Sequence, residues 1–195
     1  MIKIEKNFFF ILALLIALIV TASNYLVQFP LNYFNLENLL TYGAFSYPVA
    51  FLITDLSNRK YGKKIAKKIV YLGFSLGIFL TLLIVFFNVI YIPTRIAIGS
   101  GIAFLTAQLI DVYIFDKLRQ KIWFIAPLAS SLIGSTIDTF LFFSVSFYGT
   151  GVNWITLSIG DLLVKIFVAL IMLIPFRLLL SSIQEISTTE KKISV

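Results

Sequence analysis

The stretch Trp123-Phe-Ile-Ala-Pro-Leu-Ala-Ser-Ser-Leu-Ile-Gly-Ser-Thr-Ile-Asp138-Thr-Phe-Leu-Phe-Phe-Ser-Val-Ser-Phe-Tyr148 carries a single charged residue, Asp138. A membrane-spanning helix needs about 20 mostly apolar residues. This run exceeds that length and places its carboxylate far from either end. A charge at mid-bilayer costs about 2.5–3.5 kcal/mol on insertion scales, so such a group faces a protein interior, a partner or a water-filled path. Around it, Ala126, Ala129, Ser130, Ser131, Gly134 and Ser135 are small enough to let neighbouring helices approach closely. That packing use is compatible with a binding use.

The rest of the chain has the same character. Its 195 residues are 59% hydrophobic and 13% charged, with a mean hydropathy of +0.99. That composition cannot cover a soluble domain with polar surface. The spacing of apolar runs predicts six helices, near Asn7–Val27, Thr41–Leu56, Lys68–Ile90, Arg95–Phe115, Trp123–Tyr148 and Ile155–Leu180. The expected fold is an all-α membrane protein, one polytopic transmembrane domain over residues 1–195. Lys3 and Lys6 ahead of an apolar run resemble a signal peptide, but five further spans follow and the segment reads as a retained first helix. The second span is interrupted by Ser46, Pro48, Thr54 and Asp55, as in helices that line a protein-buried cavity. With no cysteine and no histidine, the chain has no disulfide, thiolate or imidazole metal site, and no histidine acid–base chemistry. No cofactor is implied.

Basic residues give the orientation. Lys3 and Lys6 precede the first helix. Arg59, Lys60, Lys63, Lys64, Lys67 and Lys68 follow the second, Lys117, Arg119 and Lys121 follow the fourth, and Lys191 and Lys192 end the chain. With six spans these all fall on one side, and the opposite loops offer only Arg95. The positive-inside rule then puts both termini in the cytoplasm. Topology accounts for the net charge of +7, and no nucleic-acid partner is implied. Residues Gln28–Leu40, with Tyr33, Phe34, Leu36 and Leu39 around Glu37, are expected to lie outside, along the interface or as a partial lid.

Five ionisable residues interrupt the apolar spans: Asp55, Asp111, Asp138, Asp161 and Lys165. Helical period sets Gln108 beside Asp111 and Ser135 beside Asp138, giving two helices a polar face each. Asp161 and Lys165 stand i, i+4 in the favourable acid-before-base order. They either neutralise each other near the outer interface or serve a substrate or ion. Asp55 either anchors a loop beside Arg59 and Lys60 or belongs to a site, and Asp116 pairs locally at a helix end.

Three blocks stand out: Ser46-Tyr-Pro-Val-Ala-Phe-Leu-Ile-Thr-Asp55-Leu-Ser-Asn58-Arg-Lys-Tyr-Gly62-Lys-Lys, then Gln108-Leu-Ile-Asp-Val-Tyr-Ile-Phe-Asp-Lys-Leu-Arg119, and Ile133-Gly-Ser-Thr-Ile-Asp138-Thr139-Phe-Leu-Phe142-Phe with Phe147-Tyr-Gly149. Together they resemble the bacterial queuosine precursor transporter family, also described as vitamin uptake proteins. They follow in the family's order over nearly the whole chain, and Lys165 falls where the family carries a lysine in its last helix. The segment before Pro175 departs from the family's more polar version, since Leu173 and Ile174 are apolar. The resemblance implies uptake of a 7-deazaguanine base, such as 7-cyano-7-deazaguanine, across the bacterial cytoplasmic (inner) membrane.

For such a small-molecule nucleobase, a carboxylate of Asp138, Asp111 or Asp55 would accept from the ring N–H and exocyclic amine together. Gln108, Ser135, Thr139 and Asn58 are candidates for the remaining hydrogen bonds. Lys165 and Asp161 are candidates for substrate binding or proton coupling. Tyr47, Tyr113, Phe140, Phe143 and Trp154 are candidate stacking surfaces.

The leading mechanism is a secondary carrier. The alternatives are a substrate-binding subunit of an ATPase-energised importer, an intramembrane enzyme joining Asp111 and Asp138, and a passive scaffold. Ala13 and Ala17, four apart on the first helix, would suit docking by an energising partner or a second copy.

Overall fold

The computed structural model describes residues 6–32, 40–87 and 93–180. Among them the regular structure is helical: α1 (Lys6–Leu26), α2 (Tyr47–Tyr61), α3 (Lys63–Phe86), α4 (Thr94–Leu118), α5 (Ile125–Phe147) and α6 (Trp154–Leu180), with a 3-10 turn at Tyr42–Phe45 before α2. The six expected helices are all present. Five of them are long and apolar enough to cross a membrane.

The exception is α2. At 15 residues it rises about 22 Å, short of a hydrocarbon core about 30 Å thick. The preceding 3-10 turn supplies about 8 Å more. Pro48, expected to interrupt this span, instead sits in the first turn of α2. A missing N–H is harmless there because that donor has no partner within the helix. The helix therefore runs on past Leu56, through Asn58 and Arg59. Gly62 then turns the chain directly into α3 with a φ of 82°, a left-handed conformation that suits glycine. Lys63 to Lys67, expected to precede the third helix, form the first turns of α3. The expected end of this helix at Ile90 lies outside the described residues.

α2 touches each of the other five helices. It buries Tyr47, Phe51, Thr54, Asp55, Asn58 and Arg59 among its residues. This is how a polar, short helix survives in a membrane protein: its side chains meet protein where the long helices meet lipid.

A close contact joins α1 and α3. Ala13, Ile16, Ala17 and Val20 form one fully buried stripe on α1. Opposite stand Gly73 and Gly77, also four apart. A Cβ on Gly73 would lie 2.7 Å from Ile16 Cβ, and one on Gly77 would lie 2.9 Å from Val20 Cβ. The Ala13/Ala17 face, read from sequence as a dock for another chain, is filled by this chain's own α3. On α5, Gly134 performs the expected small-residue role, admitting the Phe51 ring so closely that a Cβ would stand 2.7 Å from it.

The basic clusters gather at one end of the bundle. Arg59 Nη1 donates to Arg119 O at 2.7 Å, and Arg119 Nη2 donates back to Asn58 O at 2.7 Å. Lys60 stands over Phe8 of α1, and Arg177 of α6 stands over Trp123. Asp116, expected to be neutralised locally beside Lys117, bridges Arg119 at 3.0 Å and Lys63 of α3 at 4.0 Å. Arg95 lies at the other end, donating to Val145 O and Tyr148 O. Lys3, Lys191 and Lys192 lie outside the described residues. So do residues 33–39 of the expected external segment, whose flanks are tied by Leu31 N to Leu40 O at 2.9 Å and Tyr42 N to Phe29 O at 3.1 Å.

Candidate functional site

The i, i+4 spacing of α6 brings Asp161 and Lys165 together, with Nζ 2.6 Å from Asp161 Oδ2. The pair is not self-contained. The same ammonium reaches across to α5, 2.8 Å from Asp138 Oδ2 and 3.1 Å from Thr139 Oγ1. Thr139 Oγ1 in turn donates to Asp161 Oδ2 at 2.8 Å. All four residues are buried, each 4% exposed or less. Lys165 has three N–H donors and here spends them on Asp138, Asp161 and Thr139. The cluster holds two acids and one base, so its formal charge is negative by one if all are ionised.

Tyr47 of α2 closes one side, its ring centroid 5.2 Å from Lys165 Nζ. Its hydroxyl pairs with Ser100 Oγ of α4 at 2.7 Å, and Ser100 Oγ donates to Asn24 Oδ1 of α1. Asn24 Nδ2 then donates to Thr81 Oγ1 of α3 at 3.4 Å. The polar chain therefore reaches all six helices. Asn24, Ser100 and Thr81 were not among the residues singled out from the sequence. Serines, threonines and asparagines are common in membrane helices, and only the assembled bundle tells those that face inward.

A second polar cluster lies further along α2 and α5. Asp55 accepts from Ser130 Oγ at 3.1 Å and from Ser131 Oγ at 3.4 Å. Asp111 of α4 faces Asp55, and the two carboxyls interact electrostatically. Thr54 donates to Gln108 Oε1 at 2.7 Å. Ser130 precedes Asp138 by two turns, about 12 Å along the helix. The acids thus group as Asp55 with Asp111, and as Asp138 with Asp161 around Lys165. This arrangement removes the Asp111–Asp138 approach on which a two-aspartate enzyme depends.

Asn58 is engaged elsewhere: its Nδ2 donates to Val112 O at 2.9 Å and its Oδ1 accepts from Arg119. It fastens α2 to α4. Ser135 lies one turn before Asp138, and its Oγ is buried without a hydrogen-bond partner. It lines a crevice between α2, α5 and α6 together with Asp55, Ser131 and Leu173. Space for the centre of a water there is about 10 Å³, roughly one water.

Among the expected stacking surfaces, only Tyr47 borders the charged cluster. Tyr113 and Phe140 are about half exposed, the former beneath Lys63. Phe143 and Trp154 pack with Phe142 and Phe147 in an apolar cluster.

A short polar helix in contact with five long apolar ones, with ionisable side chains held between them, defines a multi-pass membrane protein with a polar interior. Comparison with known proteins agrees. The family described as "Putative vitamin uptake transporter" matches residues 41–180. The "Queuosine precursor transporter" of Escherichia coli K12 is 31% identical over 187 residues, covering 85% of this chain and 83% of that protein. The "Probable queuosine precursor transporter" of Haemophilus influenzae is 32% identical, covering 80% of this chain and 79% of its own. The one from Bacillus subtilis is 31% identical over 68% of each. No solved structure matches the chain. The chain belongs to the queuosine precursor transporter family and is a transporter, not an enzyme.

Proposed function

We propose that this protein is a secondary carrier that takes up queuosine-precursor 7-deazaguanine bases across the bacterial cytoplasmic membrane. The substrate class follows the names of its relatives. The basic end of the bundle faces the cytoplasm by the positive-inside rule, and the start of α1 and the end of α6 lie at that end.

The observation that carries the reading is the buried set Asp138, Lys165, Asp161 and Thr139. A guanine-like edge presents an amine, a ring N–H and a carbonyl oxygen in a row, two donors followed by one acceptor. A carboxylate beside an ammonium presents the complement, two acceptors and a donor. On binding, the base takes over Asp138 from Lys165, while Lys165 keeps Asp161 and turns an N–H toward the base carbonyl. Each buried charge keeps a partner throughout, which matters because a charge left alone inside the membrane is costly. Tyr47 offers a ring face beside the same ammonium, and a stacked base gains about 1–3 kcal/mol from such a face. A base lacking the amine or the ring N–H leaves Asp138 unpaired and is rejected.

Counterflow tests this reading. Vesicles containing only this protein and loaded with unlabelled 7-cyano-7-deazaguanine should draw in the radiolabelled base, and adenine should not compete. No exchange by folded protein would refute the carrier.

A further inference from the structure

Asp55 and Asp111 take no part in the base cluster, yet both are buried. The hydrogen bonds around them are one-sided. Both oxygens of Asp55 accept, one from Ser130 and one from Ser131. Neither oxygen of Asp111 has a hydrogen-bond partner of ordinary geometry, and the residue is 0% exposed.

Among the described residues, no salt bridge joins Asp55 or Asp111 to a basic side chain. α5 faces it with Ser130 and Ser131, and α6 contributes the apolar wall Ala169, Met172, Leu173 and Phe176 of the adjoining crevice. On α4, one turn before Asp111, Gln108 accepts from Thr54 through Oε1, and its neutral Nε2 is buried without a partner. One turn along α2, Arg59 reaches the Arg119 carbonyl. Lys165 is held by Asp138 and Asp161, and Arg177 stands over Trp123. Two like charges facing each other in a low-dielectric interior cannot both persist, so such pairs hold one proton between them.

A second observation lies next to the pair. Ser135 Oγ, 1% exposed and without a partner, lines the crevice that Asp55 and Ser131 also line. A crevice of one-water size with Asp55, Ser131 and Ser135 on its walls meets the two to four polar contacts that a buried water requires.

We infer that Asp55 and Asp111 form the proton-carrying site that couples transport to the pH gradient, separate from the base cluster, with the Ser131–Ser135 crevice as its water-borne route for protons. Ser130 and Ser131 donate to Asp55, and the pair holds one proton shared between Asp55 and Asp111. Releasing it leaves two anions facing each other across the α2–α4 contact and drives those helices apart. α2 also carries Tyr47, so this movement reaches the base cluster. The inference rests on the carrier reading above, and the experiment separates the two.

Vesicles containing the protein alone are tested for counterflow of radiolabelled 7-cyano-7-deazaguanine and for accumulation driven by a pH gradient. With one proton per base, each pH unit supports about tenfold accumulation. Wild type is expected to do both. Folded Asp111→Asn, which cannot release a proton, is expected to keep counterflow and lose accumulation. Accumulation unchanged in Asp111→Asn, counterflow lost in folded Asp111→Asn, or wild-type accumulation driven by sodium instead of protons would each overturn the inference. Loss of counterflow in wild type would instead strike the carrier reading. Should the variant not fold, a pH dye trapped in wild-type vesicles decides: base entry must acidify the lumen, and base entry without acidification would overturn the inference.

Discussion

Lys165 of α6 donates to Asp138 of α5 at 2.8 Å, joining two helices by a charge pair that the bundle seals from lipid. In a soluble surface this contact would matter little. Buried, it cannot be broken on one side without leaving a charge alone.

Lys165→Ala is therefore expected to be the more damaging half of the pair. It leaves Asp138 and Asp161 without their shared ammonium, at a cost of about 3–5 kcal/mol. Combining it with Asp138→Asn should recover part of that loss, because one of the stranded charges is gone. Thermal unfolding of the purified single and double variants in detergent checks this, and the double variant should still fail to bind base.

Tyr47 has two separable parts. Tyr47→Phe keeps the ring and loses the bond to Ser100, so the expected effect is a loss of about 1 kcal/mol in stability with base affinity near that of wild type. Tyr47→Ala removes the stacking face and should weaken base binding by about 1–3 kcal/mol. Equilibrium binding of labelled base to both variants separates the hydroxyl from the ring.

The α1–α3 contact predicts a contrast between glycines. Gly73→Ala puts a methyl 2.7 Å from Ile16 Cβ and 2.8 Å from the Ala13 carbonyl, and should cost about 1–3 kcal/mol through overpacking. Gly101→Ala meets the Phe74 ring only at 3.7 Å and should be tolerated. Unfolding midpoints of the two variants give the comparison.

Asn58 ties α2 to α4 through Val112 O and Arg119. Asn58→Ala should lower stability by about 1–3 kcal/mol, the cost of unmade buried hydrogen bonds, while folded protein binds base with unchanged affinity. An affinity loss without a stability loss would place Asn58 at the substrate instead.

Much of this was legible in the residues. Apolar length gave the long helices, and the i, i+4 order of Asp161 and Lys165 predicted their contact. Pro48 was misread because a proline in a polar segment signals a break equally well from the middle of a helix or from its first turn. The basic run from Arg59 to Lys68 hid the Gly62 turn, since lysines suit both helix ends and loops. The partner of Ala13 and Ala17 could not be read locally. The same small-residue spacing serves a contact within the chain or between chains, and Gly73 and Gly77 decide it only once α3 is folded against α1. Likewise Asp111 could have met Asp138 or Asp55. Helical phase gives the face a residue presents but not the depth at which two helices cross.

The central claim is that the Asp138–Lys165 cluster receives the base in a carrier that works by itself. The most direct test is counterflow of radiolabelled 7-cyano-7-deazaguanine in vesicles holding wild-type protein or Asp138→Asn, which keeps the side-chain shape and leaves Lys165 its bond to Asp161. Exchange by wild type that is lost in the folded variant is the predicted result. Equal exchange by both proteins, or none by wild type, would contradict it.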